Sequence, residues 1–185
     1  MPAWADGNLT VYHATDRQNL AAYGTLFGTG QRVSSYAVKL SLCRQATDFG
    51  QGFYTTTSLH QAREYANARV RRLAAAATPV LTQGLILQFD LDRDWLAAQE
   101  TLFFVRAIQD YWDFVTHCRA GLAVHNRPWP RGPYDVVCGL VTIWPQRVLI
   151  LDCDQISFHT DRAVMGLRKP IVADVASGAD GGLFL

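Results

Sequence analysis

The stretch DFGQGFYTTTSLHQAREYA, residues 48–66, constrains the fold of this chain more than any other segment. Its two glycines predict a bendable turn, and an aromatic pair and three threonines lead from that turn towards a helix. Ser58 followed three residues later by Gln61 is a capping-box pattern, so we predict that the helix begins here. It is expected to run to about Ala77, where a Thr-Pro pair stops it.

Periodicity assigns a buried face to this helix and predicts two more helices. The first helix has one apolar stripe on a 3.6-residue period, made of Ala62, Ala66, Val70, Leu73 and Ala77. A long helix that ends at Gly121 is predicted from a second stripe, which consists of Phe104, Ala107, Ile108, Tyr111, Trp112, Val115 and Cys118. Bulky aromatic residues at this spacing indicate core packing rather than a cofactor site. A short helix is predicted at residues 161–167.

The predicted strands do not alternate one for one with these helices. They are NLTVYHAT (8–15), GLILQFDLD (84–92), YDVVCGLVTI (134–143), QRVLILD (146–152) and QISFHT (155–160). This order favours an α+β fold built on antiparallel sheets over a doubly wound fold. We expect a single domain over residues 1–170, followed by a tail, residues 171–185, that is partly disordered.

Composition excludes several classes of function. Seventeen basic and sixteen acidic side chains leave a net charge of +1, so no global field attracts nucleic acid or an anionic membrane. The four cysteines form neither a CxxC motif nor a Cys/His cluster of zinc spacing, which favours free thiols and no metal site. The first residues lack the features of a signal peptide, and no run has the length of a membrane span. We therefore expect a soluble cytoplasmic protein that makes no membrane contact.

The residues of the opening stretch allow two interpretations. Gly50 and Gly52 supply flexible backbone, Tyr54 supplies a planar face, and the helix brings back a second ring at Tyr65, so together they could clamp a flat ligand. Alternatively, the glycines only make a tight turn and both tyrosines are half-buried packing residues. The residues alone leave both interpretations open.

Three segments of the chain resemble the signature segments of a known superfamily. VYHAT (11–15), DFGQGFYTTTSLHQAREYA (48–66) and DQISFH (154–159) resemble those of the diphtheria-toxin and poly-ADP-ribose-polymerase branch of the ADP-ribosyltransferases. They are more similar still to an uncharacterised bacterial family related to that branch. In such enzymes a first strand carries a histidine and a small residue, a G-F-Y-[small]-T segment leads into a helix bearing another tyrosine, and a late strand opens with a glutamate. The three segments cover about a sixth of the chain.

The resemblance implies a split core of two packed antiparallel sheets with flanking helices and an NAD-binding cleft. It places His13, Tyr54 and Gln155 at the catalytic positions. The NAD-binding residues that it implies are His13, Ala14, Thr15, Gly52, Phe53, Tyr54, Tyr65 and Arg69. In this scheme Tyr54 and Tyr65 sandwich the nicotinamide ring, His13 holds a ribose hydroxyl, and Ala14 offers its peptide group to the carboxamide.

Two residues depart from the pattern of the superfamily. Ala14 stands where glycine is usual, which removes no hydrogen-bonding group. Gln155 stands where glutamate is usual, and an amide can hold a hydroxyl but supplies no negative charge. Strand alternation is expected to point Asp154 to the opposite face, and Asp152 is assigned to the preceding turn. We expect Gln155→Glu to keep the ribose contact and to raise NAD hydrolysis.

The function implied by the resemblance is NAD-dependent mono-ADP-ribosyl transfer to a macromolecular acceptor, a protein or a nucleic acid. Bacterial members of the superfamily are often toxins or effectors, which makes delivery into a target cell and a cognate antitoxin or immunity protein expectations as well. Arg69, one turn after Tyr65, is expected to reach the NAD pyrophosphate or, alternatively, to belong to a solvated basic edge. The alternative functions are NAD glycohydrolysis and a catalytically weak NAD-binding module, for which Gln155 is the main argument.

Overall fold

Strands and helices alternate irregularly along the chain. The computed structural model describes residues 7–21, 38–79, 82–122, 125, 127 and 131–176. The elements in this part of the chain are β1 (Leu9–Asp16), α1 (Arg17–Ala21), a 3₁₀ helix (Leu40–Leu42), β2 (Phe53–Thr55), α2 (Leu59–Ala74), β3 (Gly84–Leu91), α3 (Arg93–Ala97), β4 (Thr101–Phe103), α4 (Gln109–Arg119), β5 (Val136–Ile143), β6 (Val148–Phe158), α5 (Asp161–Val164) and β7 (Leu167–Ala176). None of the helices described here is long and apolar enough to cross a bilayer.

The described strands form two mostly antiparallel sheets, which makes the fold α+β. One sheet has three strands in the order β1-β3-β7, and the other has four in the order β2-β6-β5-β4. In the four-stranded sheet β5 and β6 pair antiparallel, with Gly139 opposite Gln155, whereas β4 pairs parallel to β5. The prediction of an α+β fold with antiparallel sheets is therefore confirmed at this level.

The chain divides into two compact units, each centred on one sheet. The first unit holds the described parts of Met1–Leu9, Val38–Tyr54 and Leu91–Leu167. Its core is an aromatic cluster against the four-stranded sheet, formed by Phe49, Tyr111, Phe114, Val115, Cys118 and Val137. Three of the residues predicted for the buried stripe of the long helix therefore lie in this core.

The second unit holds the described parts of Thr10–Ala37, Thr55–Asp90 and Arg168–Leu185. Its core joins α2 to the three-stranded sheet through Ala62, Ala66, Ile86 and Ala176. Gly84 permits this packing, because a Cβ there would lie 3.0 Å from the Cβ of Ala66. Small residues on α2 thus let the helix approach the sheet closely.

The predicted start of α2 is confirmed, but the helix ends earlier than expected. Of the capping box only the Ser58 side-chain bond forms, because the Ser58 N–H donates to Thr56 Oγ1 and the Gln61 side chain accepts from the same hydroxyl. The Ser58 side chain accepts a hydrogen bond from the Gln61 N–H at 3.2 Å. Ala62, Ala66 and Val70 of the predicted stripe are buried, but the helix ends at Ala74, so the predicted end at residue 77 is wrong. Ala77 is exposed because it lies beyond the last helical turn.

The long helix begins later than its apolar stripe predicts. Residues 101–103 form the edge strand β4, which pairs with β5, and Ile108 is an extended N-cap residue, so α4 starts only at Gln109. Phe104 reaches the aromatic cluster from a loop rather than from a helix. The end of the helix is as predicted, because Gly121 follows it in the left-handed region at φ 76° and its N–H bonds to the carbonyl of Cys118.

The carboxyl-terminal part of the chain corrects four predictions. The two strands predicted at 146–152 and 155–160 are one strand, β6. Asp152 lies within this strand and not in a turn, with φ 57° beside an irregularity in the β5–β6 register. The short helix ends at Val164. Residues 171–176, predicted as tail, belong to β7, because pairing with β3 orders them; residues 177–185 lie outside the described part.

Candidate functional site

Tyr54 lies on β2 and its hydroxyl is anchored in the preceding turn. The hydroxyl donates to the carbonyl of Gly50 at 2.8 Å, accepts from the N–H of Phe49 at 2.9 Å, and lies 2.6 Å from the hydroxyl of Thr47. The ring is partly buried and stacks on Phe49 with a centroid distance of 6.4 Å. Burial raises the pKa of the Tyr54 hydroxyl well above its ordinary value, so this group stays protonated at neutral pH.

The two glycines of the opening stretch have different structural roles. Gly50 adopts φ 80°, in the left-handed region that favours glycine, and it closes the turn with a bond from its N–H to the carbonyl of Thr47. Gly52 lies against His159, since a Cβ at position 52 would sit 2.7 Å from Nδ1 of that ring. The glycines therefore fit a turn and a close contact, and neither role requires a ligand.

His159, at the end of the third segment, is bonded back to the opening stretch. Its Nδ1 donates to the carbonyl of Gln51 at 2.9 Å, and its Nε2 lies 2.8 Å from the Ser157 hydroxyl oxygen. The ring meets the His125 ring edge-on with centroids 4.5 Å apart. Burial, with the neighbouring His125 as a second cause, lowers the pKa of His159 to about 3, so the ring is neutral at pH 7.

Gln155 lies on β6 with its side chain buried and its amide nitrogen doubly engaged. The Nε2 group donates to Asp48 Oδ2 at 2.9 Å and to the carbonyl of Leu140 at 2.6 Å. The same carbonyl accepts from the Tyr111 hydroxyl at 2.8 Å. Gln155 is therefore bonded to the first residue of the opening stretch, 107 positions earlier in the chain.

Asp48 is the centre of a buried polar network. Its carboxylate is 3% exposed and receives two bonds from the Arg119 guanidinium at Oδ1, of 2.9 and 2.6 Å. The hydroxyl of Thr142 donates to Oδ1 at 2.7 Å and the Thr142 N–H donates to Oδ2 at 3.1 Å. Burying a carboxylate is costly unless it is paired and hydrogen-bonded, and here Arg119 and Thr142 lie 71 and 94 positions away in the sequence.

The first segment, on β1, is bonded to the second by a pair of backbone hydrogen bonds. Tyr12 and Thr56 exchange N–H to carbonyl bonds of 2.8 and 2.9 Å. His13 and Ala14 follow Tyr12 and are partly buried, and Thr15 is buried. His13 thus lies inside β1, three residues before the end of the strand.

Arg69 is bonded to a buried carboxylate next to the first segment. Its Nε lies 2.5 Å from Asp16 Oδ2, and the Asp16 side chain is 2% exposed whereas the Arg69 side chain is 33% exposed. Tyr65, one turn earlier on α2, is 41% exposed, and the Arg72 guanidinium lies 5.6 Å from the centre of its ring. Arg69 is therefore part of an ion pair rather than of a fully solvated edge.

The two units divide the predicted site residues between them. The first unit contains Gly52, Phe53, Tyr54 and Gln155, and the second contains His13, Ala14, Thr15, Tyr65 and Arg69. The opening stretch passes from one unit to the other after Tyr54 and is bonded to both other segments. Sequence reasoning missed Asp48, Arg119 and Asp16, because no local pattern distinguishes a buried ion pair from a surface charge.

The four cysteines are free thiols. Burial raises the pKa of Cys118 and Cys138 to about 12, so both thiols are protonated at neutral pH. Among the residues that the structure describes, no three His, Cys, Asp or Glu side chains are arranged for a metal ion.

Comparison with known proteins assigns the chain to a family. The family described as "Protein of unknown function (DUF3990)" matches residues 26–142, which is more than half of the chain. The chain therefore belongs to this family. No curated protein matches the chain.

Proposed function

We propose that this protein is an NAD-dependent mono-ADP-ribosyltransferase whose motif residues are carried by the three segments 11–15, 48–66 and 154–159. The observation that carries the proposal is the bonding of the middle segment to both others. Thr56 is paired with Tyr12, and Asp48 is bonded to Gln155. Within each unit, one of the other two segments is thereby bonded to the middle segment, although the paired residues are far apart in sequence.

The elements that carry these segments also agree with the resemblance. His13 lies on a strand, Tyr54 lies on a short strand that leads into the capped helix α2, and Gln155 lies on a late strand. The α+β fold with a three-stranded and a four-stranded sheet is compatible with the split core of the superfamily. That the chain has the ADP-ribosyltransferase fold itself is part of what we propose.

The reaction breaks the bond between the nicotinamide nitrogen and C1′ of its ribose. The electron pair of that bond leaves with nicotinamide, an acceptor nucleophile forms a new bond to C1′, and the proton of the acceptor goes to solvent. Positive charge develops on the ribose, so the site must hold the leaving group and stabilise that charge. Tyr65 and Tyr54 would supply ring faces for nicotinamide, and His13 and Gln155 would supply hydrogen bonds to the ribose.

The proposal is tested by following nicotinamide release from NAD, with and without bacterial and eukaryotic lysates. Release that requires lysate, with label from adenine-labelled NAD in a macromolecule, supports transfer. Release without any acceptor indicates a glycohydrolase. Binding of NAD without release in either condition indicates a weak NAD-binding module, and absence of both binding and release contradicts all three functions.

Tyr65→Ala is the variant that separates ligand binding from folding. Because Tyr65 is 41% exposed, truncation should change the stability little and weaken NAD binding about five- to tenfold, as expected for loss of one stacked ring. Leu151→Ala is the matched control, since Leu151 is 79% exposed and lies outside the three segments. Equal NAD affinity in both variants would remove Tyr65 from the site.

Tyr54 needs a more conservative change, because its hydroxyl anchors the turn. Tyr54→Phe keeps the ring and loses the bonds to Phe49, Gly50 and Thr47, so it should lower stability and leave NAD affinity nearly unchanged. Tyr54→Leu should lose affinity as well. If both variants bind NAD as the wild type does, Tyr54 is a packing residue only.

A further inference from the structure

The hydrogen bonds of Gln155 determine which of its amide atoms faces where. The two acceptors around Nε2, Asp48 Oδ2 and the Leu140 carbonyl, cannot donate. If the amide were rotated by 180°, its oxygen would lie against the oxygens of Asp48 and Leu140, and its NH₂ group would lose both acceptors. The observed orientation is therefore the only one that the surrounding groups accept, and both amide hydrogens are used.

The remaining atom of this amide is an acceptor. Gln155 Oε1 makes no hydrogen bond to any residue that the structure describes. Gln155 also lines a cavity of about 300 Å³ together with Phe104, Gly139 and Leu140. With its donors engaged, Gln155 can offer a ligand only a lone pair, as one oxygen of a glutamate would.

Asp48 is held in place independently of Gln155. Arg119 binds Oδ1 through two nitrogens and also donates to the Ala46 carbonyl, and Thr142 contacts both carboxylate oxygens. The Arg119 charge compensates the charge of Asp48, so the network is neutral as a whole. It supplies a fixed orientation, and a carboxylate that accepts from the amide polarises it and makes its oxygen a stronger acceptor.

We propose that Asp48 is a positioning residue that fixes the Gln155 amide so that Oε1 accepts a hydrogen bond from a ligand hydroxyl. In terms of the proposed function, on which this inference rests, the hydroxyl belongs to the nicotinamide ribose of NAD. Asp48 acts through Gln155 and does not touch the ligand. The glutamate of the superfamily is thus replaced here by a pair, in which Gln155 makes the contact and Asp48 determines its direction.

The decisive variant is Asp48→Asn, with Asp135→Asn as its matched control. The carboxylate of Asp48 accepts hydrogen bonds at both oxygens, whereas the amide introduced by Asp48→Asn has only one acceptor oxygen. Its NH₂ group would therefore face hydrogen-bond donors that now bond to the second carboxylate oxygen. Asp135 is equally buried, at 5% exposure, and is bonded to Thr160, Arg162 and the N–H of Glu100, but not to Gln155. Both variants lose a buried carboxylate, and only the first should disturb the Gln155 amide.

The first readout is hydrogen exchange of the Gln155 side-chain NH₂ group by NMR, in protein labelled at glutamine nitrogen. Relative to the backbone N–H of Val137, exchange should be about tenfold faster in Asp48→Asn, the equivalent of one lost hydrogen bond. It should not change in Asp135→Asn. Thr142→Val removes one hydrogen bond to Asp48 and keeps the shape of the side chain, so it should give a smaller increase in the exchange rate. It replaces Asp48→Asn in this experiment if that variant does not fold.

The second readout is nicotinamide release from NAD and from an analogue that lacks a nicotinamide-ribose hydroxyl. In the wild type and in Asp135→Asn, kcat for the analogue should be at least about tenfold lower than kcat for NAD. In Asp48→Asn, kcat for NAD itself should fall, and kcat for the analogue should be only slightly lower than that for NAD. Unchanged exchange in Asp48→Asn and Thr142→Val, or equal kcat in Asp48→Asn and Asp135→Asn, would overturn the positioning role. A wild type that neither binds nor cleaves NAD would overturn the proposed function, and the exchange measurement would still decide whether Asp48 orients Gln155.

Discussion

At the scale of single residues, Gly52 shows how a motif glycine can be required by packing. A Cβ at position 52 would lie 2.7 Å from His159 Nδ1 and 2.9 Å from the carbonyl oxygen of Phe158. The Phe158 carbonyl belongs to the backbone and cannot move aside as the end of a flexible side chain can. Gly52→Ala should therefore lower the free energy of unfolding by about 1–3 kcal/mol. Urea denaturation measures this, with Gly132→Ala as the control, because a Cβ there meets nothing within 4 Å. Equal stabilities of the two variants would contradict the close contact.

Gln155→Glu is the second residue-scale case, and the structure changes what is expected of it. A glutamate would place carboxylate oxygens against Asp48 Oδ2 and the Leu140 carbonyl, where the amide now donates. The glutamate would lose both of these hydrogen bonds and would be repelled by the Asp48 carboxylate. We therefore expect the variant to have a lower free energy of unfolding than the wild type.

Urea denaturation of Gln155→Glu and of the wild type tests this expectation. Equal free energies of unfolding would show that the side chains at positions 48 and 155 are not in contact. Raised NAD hydrolysis in this variant, which the sequence predicts, would require the Glu side chain to turn away from Asp48.

At the scale of elements, the two longer helices begin differently, and substitutions at their N-caps should act in opposite directions. Ser58 caps α2 with its side chain, whereas Ile108 at the start of α4 has no side-chain cap and is 58% exposed. Ser58→Ala should lower the free energy of unfolding by about 1 kcal/mol. Ile108→Ser should raise it by about 0.5–1 kcal/mol, because its hydroxyl can accept from the first turn.

Thermal unfolding of these two variants, and of the double variant, provides the measurement. The two caps belong to different helices and share no hydrogen-bond partner, so the two effects should add. A stabilising Ser58→Ala or a destabilising Ile108→Ser would mean that packing at these positions outweighs the capping bonds.

At the scale of the whole molecule, the buried histidines make stability depend on pH. Burial, with His125 as a second cause, lowers the pKa of His159 to about 3, whereas an unfolded histidine titrates near 6.5. Between these values the unfolded chain binds the additional proton. The contribution of neutral His159 to the free energy of unfolding is therefore fully present above about pH 6.5. It decreases as the pH falls below that value, by up to roughly 1.4 kcal/mol per pH unit.

Denaturation curves at pH values from 7.5 to 4.5 test this linkage. His159→Gln, which cannot be protonated, should reduce the slope by about one proton even if it lowers stability at every pH. His125, whose pKa is also lowered by burial, should account for part of the remaining slope. An identical slope in wild type and variant would show that His159 is not held neutral by the fold.

The sequence by itself determined the features that depend on neighbouring residues. Alternation and periodicity predicted β1, β3, β5 and the α+β class; Ser58 and Gln61 predicted the start of α2; and Gly121 predicted the end of α4. In each case the determining groups lie within a few residues of one another, so the backbone conformation follows from local hydrogen bonds and steric limits.

Only the tertiary structure decided the features that need a distant partner. Residues 101–103 are a strand because β5 pairs with them, and residues 171–176 are a strand because β3 does. Asp48 and Gln155 meet across 107 positions, and Arg69 meets Asp16 across 53. A charge or an amide carries no local sign of its partner, because the free energy that selects the pair comes from burying both groups together, and burial is a property of the folded chain.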